Sequence, residues 1–166
     1  MKRYVISVLV ENHSGVLSRV SGLFSRRGYN IDSLTVGVTE SSELSRMTIV
    51  VRGDEYILEQ IEKQLAKLVE VVSIRQCDTS ATVVRELALI KVSAAGTARV
   101  GVIETANIFR ARIVDVAVDS LIIEATGGED KIASLIRLLE PFGIKELVRT
   151  GLTAMERGAA VLEKDL

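Results

Sequence analysis

The sequence predicts an α+β chain built from two tandem βαββαβ units. Three observations carry that prediction. Apolar residues switch between alternating and helical spacing in the same order in both halves. Gly and Asp punctuate the switches. A polar stretch, residues 78–82, separates the halves as a linker, giving expected domains at 1–78 and 79–166.

Each element of the first half has its own signal. Residues 4–10 (YVISVLV) form a β-rich run in which both alternating sets are mostly apolar, the pattern of a strand buried on two faces. Val16, Leu17, Val20, Leu23 and Phe24 then recur at helical spacing, and Gly28 ends that helix at C′. Residues 31–38 and 44–51 are the next two strands, joined through the polar residues 39–43. Asp54 is a good N-cap for a helix whose apolar face is Ile57, Leu58, Ile61, Leu65 and Leu68, with Glu59 and Lys63 paired on its surface. Residues 69–74 close the unit as a fourth strand.

The second half repeats the plan. Residues 87–92 are a strand, and Val102, Ile103, Ala106, Phe109 and Arg110 fall on a helix. Strands at 113–117 and 121–125 flank a tight turn at Asp119 and Ser120. Gly127 and Gly128 precede a helix carrying Ile132, Leu135, Ile136 and Leu139, which ends before Pro141 and Gly143; residues 144–148 are the last strand. The tail after Gly158 is expected to fray or to form a short helix. A βαββαβ chain closes most simply into a ferredoxin-like sheet of four antiparallel strands with both helices on one face. The other face is then bare, yet its residues are too apolar for water. The sheets or their edges are therefore expected to pack on a second copy or another protein, in an obligate oligomer.

Composition excludes several function classes. Of 166 residues 48% are hydrophobic but only 4% aromatic, and the net charge is -1. Neither the charge nor the strands suit a nucleic-acid-binding module of this topology, which would stack bases on aromatic side chains. Cys77 and His13 are the only cysteine and histidine, so an intramolecular disulfide, a cysteine zinc cage and a multi-histidine metal site are excluded. No apolar run has the length of a membrane span, and residues 5–10 are too short for a signal peptide; a cytoplasmic protein is expected. No catalytic residue and no metal ligand is expected. Gly127-Gly128 lacks the lysine of a phosphate loop, and Arg26, Arg27, Arg110 and Arg112 read as solvated ends of helices.

The most informative segment is ENHSGVL, residues 11–17, between the first strand and the first helix. A helix N-terminus presents free N–H groups to a carboxylate, and Gly15 lets a ligand approach the backbone. Asn12 offers a donor and an acceptor, and Asn30 opens the next strand. Together these suit an α-amino acid with an apolar side chain. On spacing alone the same residues suit plain capping better, with Asn12 and Ser14 closing the helix and Gly15 serving the turn.

In residues 8–36, VLVENHSGVLSRVSGLFSRRGYNIDSLTV, the chain resembles the opening ACT domain of acetolactate synthase small subunits. The likeness continues through LSRMTIVV (44–51), LEQIEKQLAKLVEVV (58–72), IFRARIVDV (108–116) and RTGLTAMERG (149–158). It implies a non-catalytic regulatory subunit made of an ACT domain and a C-terminal ferredoxin-like domain. Its partner would be the catalytic large subunit, which binds thiamine diphosphate, magnesium and FAD and makes the precursors of valine, leucine and isoleucine. The small subunit would activate that partner and confer feedback inhibition by a branched-chain amino acid, usually valine, held between the ACT domains of a homodimer. Carried onto this chain, the effector site comprises Asn12, His13, Ser14, Gly15, Val16, Leu17, Asn30 and Ile31. Ser14 stands where many ACT domains have proline, and no role is carried to residues 94–100. The competing readings are an ACT protein with another client and an acylphosphatase-like hydrolase on the same topology.

Overall fold

The computed structural model describes residues 1–163. Its elements are β1 (Lys2–Glu11), α1 (Val16–Arg27), β2 (Ile31–Val38), β3 (Leu44–Gly53), α2 (Glu55–Leu65), β4 (Val71–Gln76), β5 (Thr82–Ser93), α3 (Ala98–Ile108), β6 (Arg112–Val116), β7 (Ser120–Gly127), α4 (Glu129–Leu139), β8 (Ile144–Arg149) and β9 (Thr153–Glu156). The predicted βαββαβ order is present twice, and β9 is an addition to it. The strands order as β2-β3-β1-β4 in one sheet and β6-β7-β5-β8 in the other, with β9 paired to β5.

The described chain divides into two compact units, residues 1–83 with 152–163, and residues 84–151. Residues 152–163, which the sequence reading carries with the second domain, pack with the first unit. No helix forms over residues 159–163. The remaining tail residues, 164–166, lie outside the described residues.

In the first unit β1 is central, antiparallel to β3 and β4, with Tyr4 opposite Val51 and Val8 opposite Met47. Tyr4, Ile6, Val8 and Val10 face the helices and pack with Val20, Phe24, Met47, Ile49, Ile61 and Leu65. Gly28 ends α1 at φ 69, where a side chain would be strained, and the Tyr29 N–H returns to Phe24. Asp54 caps α2 by accepting from the Ile57 N–H at 2.8 Å, and Glu59 meets Lys63 at 2.5 Å.

The whole run Tyr4 to Val10 is buried, as its pattern predicts. The reason differs from the expected second copy. The chain's own tail bonds across the face away from the helices. The Ser33 hydroxyl accepts the Leu152 N–H at 3.0 Å, and Thr35 donates to the Leu152 carbonyl at 2.8 Å. Arg46 donates to the Ala154 carbonyl at 2.8 Å, and Arg75 pairs with Glu156 at 2.7 Å. These partners lie on β2, β3 and β4 in turn, so the tail runs across the strands. Leu152 and Ala154 are buried by it.

In the second unit Ile90, Val92, Leu121 and Ile123 pack with Val102, Ile132, Leu135 and Leu139. α3 stops at Ile108, short of the predicted Phe109 and Arg110, because Arg110 takes a left-handed φ of 53. Arg99 fastens the start of α3, donating to Ala94 at 3.0 Å, to Val118 at 2.7 Å and to the Ala117 carbonyl. At the sheet's other end the buried Glu86 carboxylate receives both arms of Arg149, at 2.5 and 3.3 Å.

Candidate functional site

The loop between β1 and α1 is held at both ends. The Glu11 N–H donates to the Glu70 carbonyl at 2.9 Å, and the Asn12 N–H to the Glu43 carbonyl at 2.8 Å. The Asn12 side-chain amide donates to the Ser42 carbonyl at 2.8 Å. Asn12 is therefore braced to the β2–β3 connection and does not cap α1. Ser14 does not cap it either. The N-cap position is Gly15, at φ 90, and no side chain bonds to the helix end. Of the plain capping alternative, the caps by Asn12 and Ser14 are absent, because Gly15 occupies the place a capping side chain would need, while Gly15 does serve the turn, as that reading had it. An ideal Cβ on Gly15 would meet nothing within 4 Å, so the space above the first turn is open. The Val16 N–H turns back to the His13 carbonyl at 3.5 Å, and no side chain caps the end of this twelve-residue helix, which leaves its dipole open to a carboxylate.

Asn12, His13, Ser14, Gly15 and Leu17 are exposed, whereas Val16 is buried and anchors the first turn in the core. His13 bridges its own loop, with Nε2 2.9 Å from Glu11 and Nδ1 3.2 Å from the Ser14 carbonyl. Those two acceptors, the Ser14 carbonyl foremost, raise its pKa above 6.5, with a smaller contribution from Glu70. Behind the loop Glu70 is buried and ion-paired with Arg19 at 2.6 Å. Neither this pair nor the Ser42 brace was legible in the sequence, since both join residues far apart in the chain.

Asn30 and Ile31 do not join this group within one chain. Asn30 follows the far end of α1, where its amide donates to Asp32 at 3.0 Å. Ile31 is level with Val51, and Val51 with Tyr4. Tyr4 and Glu11 are separated along β1 by roughly 24 Å at the usual rise per residue. β2, which Ile31 begins, is an edge strand, and Val36 and Val38 on it are exposed.

Among the described residues no group of three or more His, Cys, Asp or Glu side chains is placed to hold a metal ion. No helix among them is long and apolar enough to cross a membrane.

Comparison with known proteins decides the family. Residues 6–73 match the model of the AHAS small subunit-like ACT domain, and residues 85–158 that of the small subunit of acetolactate synthase. A probable acetolactate synthase small subunit of Archaeoglobus fulgidus is 57% identical over 94% of this chain and 98% of its own. The chain belongs to the acetolactate synthase small-subunit family. The probable small subunit of Methanothermobacter thermautotrophicus is 52% identical, over 96% of this chain and 95% of its own. The crystal structure of the acetolactate synthase small subunit from Thermotoga maritima superposes with a TM-score of 0.90. It is 42% identical and covers 96% of this chain and 100% of that one. As an acetolactate synthase small subunit, the chain has a regulatory role beside a catalytic large subunit.

Proposed function

We propose that this small subunit activates the acetolactate synthase large subunit and makes it subject to feedback inhibition by valine, in the route to valine, leucine and isoleucine. The observation that carries this reading is the uncapped N-terminus of α1 beneath the open space at Gly15. An effector carboxylate there meets backbone N–H groups and the positive end of the helix dipole. Asn12, fixed by Ser42, His13 and Ser14 line the polar side, and Leu17 and Val16 the apolar one. Asn30 and Ile31, remote from the loop in one chain, are supplied by a second copy. The site is thus an interface site of an ACT-domain homodimer.

Valine bridging two copies favours one relative orientation of the protomers, and that preference is the allosteric signal. A coupling of about 1–3 kcal/mol is enough for a strong change in the partner's rate. The chemistry stays on the large subunit, a thiamine-diphosphate-dependent transferase that also carries magnesium and FAD. This chain holds no cofactor of its own, and the complex works in the cytoplasm.

The deciding experiment is calorimetric titration of the purified chain with L-valine, with D-valine and L-aspartate as controls, beside an assay of the large subunit with and without this chain. Selective L-valine binding together with valine-sensitive activation supports the proposal. Activation that no branched-chain amino acid reverses would leave a scaffold without a sensor.

A further inference from the structure

The tail that crosses the first sheet leaves a cleft between itself and the strands, on the face opposite the helices. Its volume is ≈ 340 Å³, and its walls include Ser7, Arg46, Arg75, Cys77, Met155 and Val161. That size lies within the range of about 300–1,000 Å³ usual for small-molecule sites. All these residues belong to the first unit.

The two arginines of the cleft differ. Arg75 is neutralised by Glu156 at 2.7 Å. Arg46 is half-buried, and its Nη2 donates to the Ser7 hydroxyl at 3.2 Å and to the Ala154 carbonyl at 2.8 Å, both neutral acceptors. Among the described residues no carboxylate is ion-paired with Arg46. A guanidinium carries five N–H donors and stays charged, so donors beyond these two bonds are left for a ligand. Ser7, 1% exposed, holds the guanidinium on the cleft floor. Met155, Val161 and Leu162 add apolar side chains to the same lining. A cation and aliphatic side chains in one cleft are complementary to a small carboxylate with a short branched or straight hydrocarbon body.

We propose that this cleft is a second ligand site, distinct from the β1–α1 loop, that takes a small aliphatic monocarboxylate on Arg46 beneath the C-terminal tail. The carboxylate supplies the counter-charge Arg46 lacks, and the ligand's body bridges the sheet to residues 155–162. Glu40, also on the cleft wall, can receive an ammonium, so an α-amino acid and a 2-oxo acid share the carboxylate contact and differ at this residue.

The test uses the full chain carrying Gly15→Asp, which removes the loop site from the experiment, and follows backbone amides by NMR. L-valine, 3-methyl-2-oxobutanoate and isobutyrate are titrated separately. The expected result is saturable shifts at Ser7, Arg46, Arg75 and residues 155–162 with at least one of the three. Val161→Asp sets a negative charge in the cleft without touching either Arg46 hydrogen bond, and weakens that binding at least tenfold while the other amides keep their positions. Binding of valine alone assigns Glu40 the ammonium, and binding of all three assigns recognition to the carboxylate. Absence of shifts at these amides with every probe overturns the proposal, as does a Val161→Asp chain that binds within twofold of its parent. Failure of the loop reading would show instead at residues 12–17 of the chain with Gly15 intact.

Discussion

Arg46 Nη2 lies 2.8 Å from the carbonyl oxygen of Ala154, so a β3 side chain holds the last strand of the chain against the first sheet. The same nitrogen reaches Ser7 on the neighbouring β1, which ties the tail to the middle of the sheet and not merely to its edge. Arg46→Met removes both bonds while keeping much of the stem's packing. The expected cost is about 1–3 kcal/mol in urea unfolding. Amide exchange should quicken first at residues 152–157, well before the helices α1 and α2 are affected.

At Gly15 the strain and the charge of a substitution separate cleanly. A Cβ meets nothing there, yet a φ of 90 is strained for any L residue. Gly15→Ala is expected to cost about 1–2 kcal/mol of stability and to weaken L-valine only moderately. Gly15→Asp adds a carboxylate where the effector's own should sit, and should abolish valine binding in calorimetry while activation of the large subunit persists. Loss of both functions would mean that the loop is structural.

The separation of Asn30 from Asn12 within one chain leads to a mixing experiment. In the homodimer proposed above, Asn12→Ala and Asn30→Ala should each remove one contribution from both sites. A mixed dimer of the two variants has one intact site and one doubly damaged site. Valine stoichiometry in that mixed dimer should return to half that of the parent, whereas sites built within one chain would stay silent.

His13 gives the loop a pH dependence whose sign is fixed by its partners. The Ser14 carbonyl, and next the Glu11 carboxylate, hold its pKa above 6.5 in the folded chain. The stability it contributes is complete below that ordinary value and is lost as pH rises through the raised one. His13→Gln should therefore destabilise more at about pH 5 than at about pH 9 in urea unfolding. Glu11→Gln should bring the His13 titration, followed by NMR, back towards its ordinary value.

In the second unit the Glu86 side chain is 3% exposed and Arg149 36%. Arg149→Met strands a buried carboxylate, at a cost of about 3 kcal/mol once the partial exposure of the arginine is allowed for. Glu86→Met added to it should recover most of that loss, measured as a double-mutant cycle by thermal or urea unfolding.

Much of the fold was legible because its signals are local. Gly28, the Asp54 cap and the Glu59–Lys63 pair act within one turn of a helix, and each is where its spacing places it. The two-sided burial of residues 4–10 was also legible, but not what covers them. The sequence TAME has no alternation that marks a strand, and its side-chain partners on the first sheet, Arg75 and Arg46, lie 81 and 108 residues away. A search for periodicity sees one strand at a time and cannot find such a cover. The site divides in the same way. Gly15 and the start of α1 could be read from a few neighbouring residues. The Ser42 brace, the Glu70–Arg19 pair and the remoteness of Asn30 depend on how the strands are ordered.

The tail also sets the order in which the molecule can be made. A ribosome delivers residues 1–83 early, but the residues that cover the outer face of their sheet begin at Leu152. The N-terminal domain therefore waits, with one side of its sheet uncovered, until the C-terminal domain has been synthesised. A gene cut at the apparent boundary near residue 78 would yield a protein arrested at that stage, prone to aggregate in the absence of the segment that begins at Leu152.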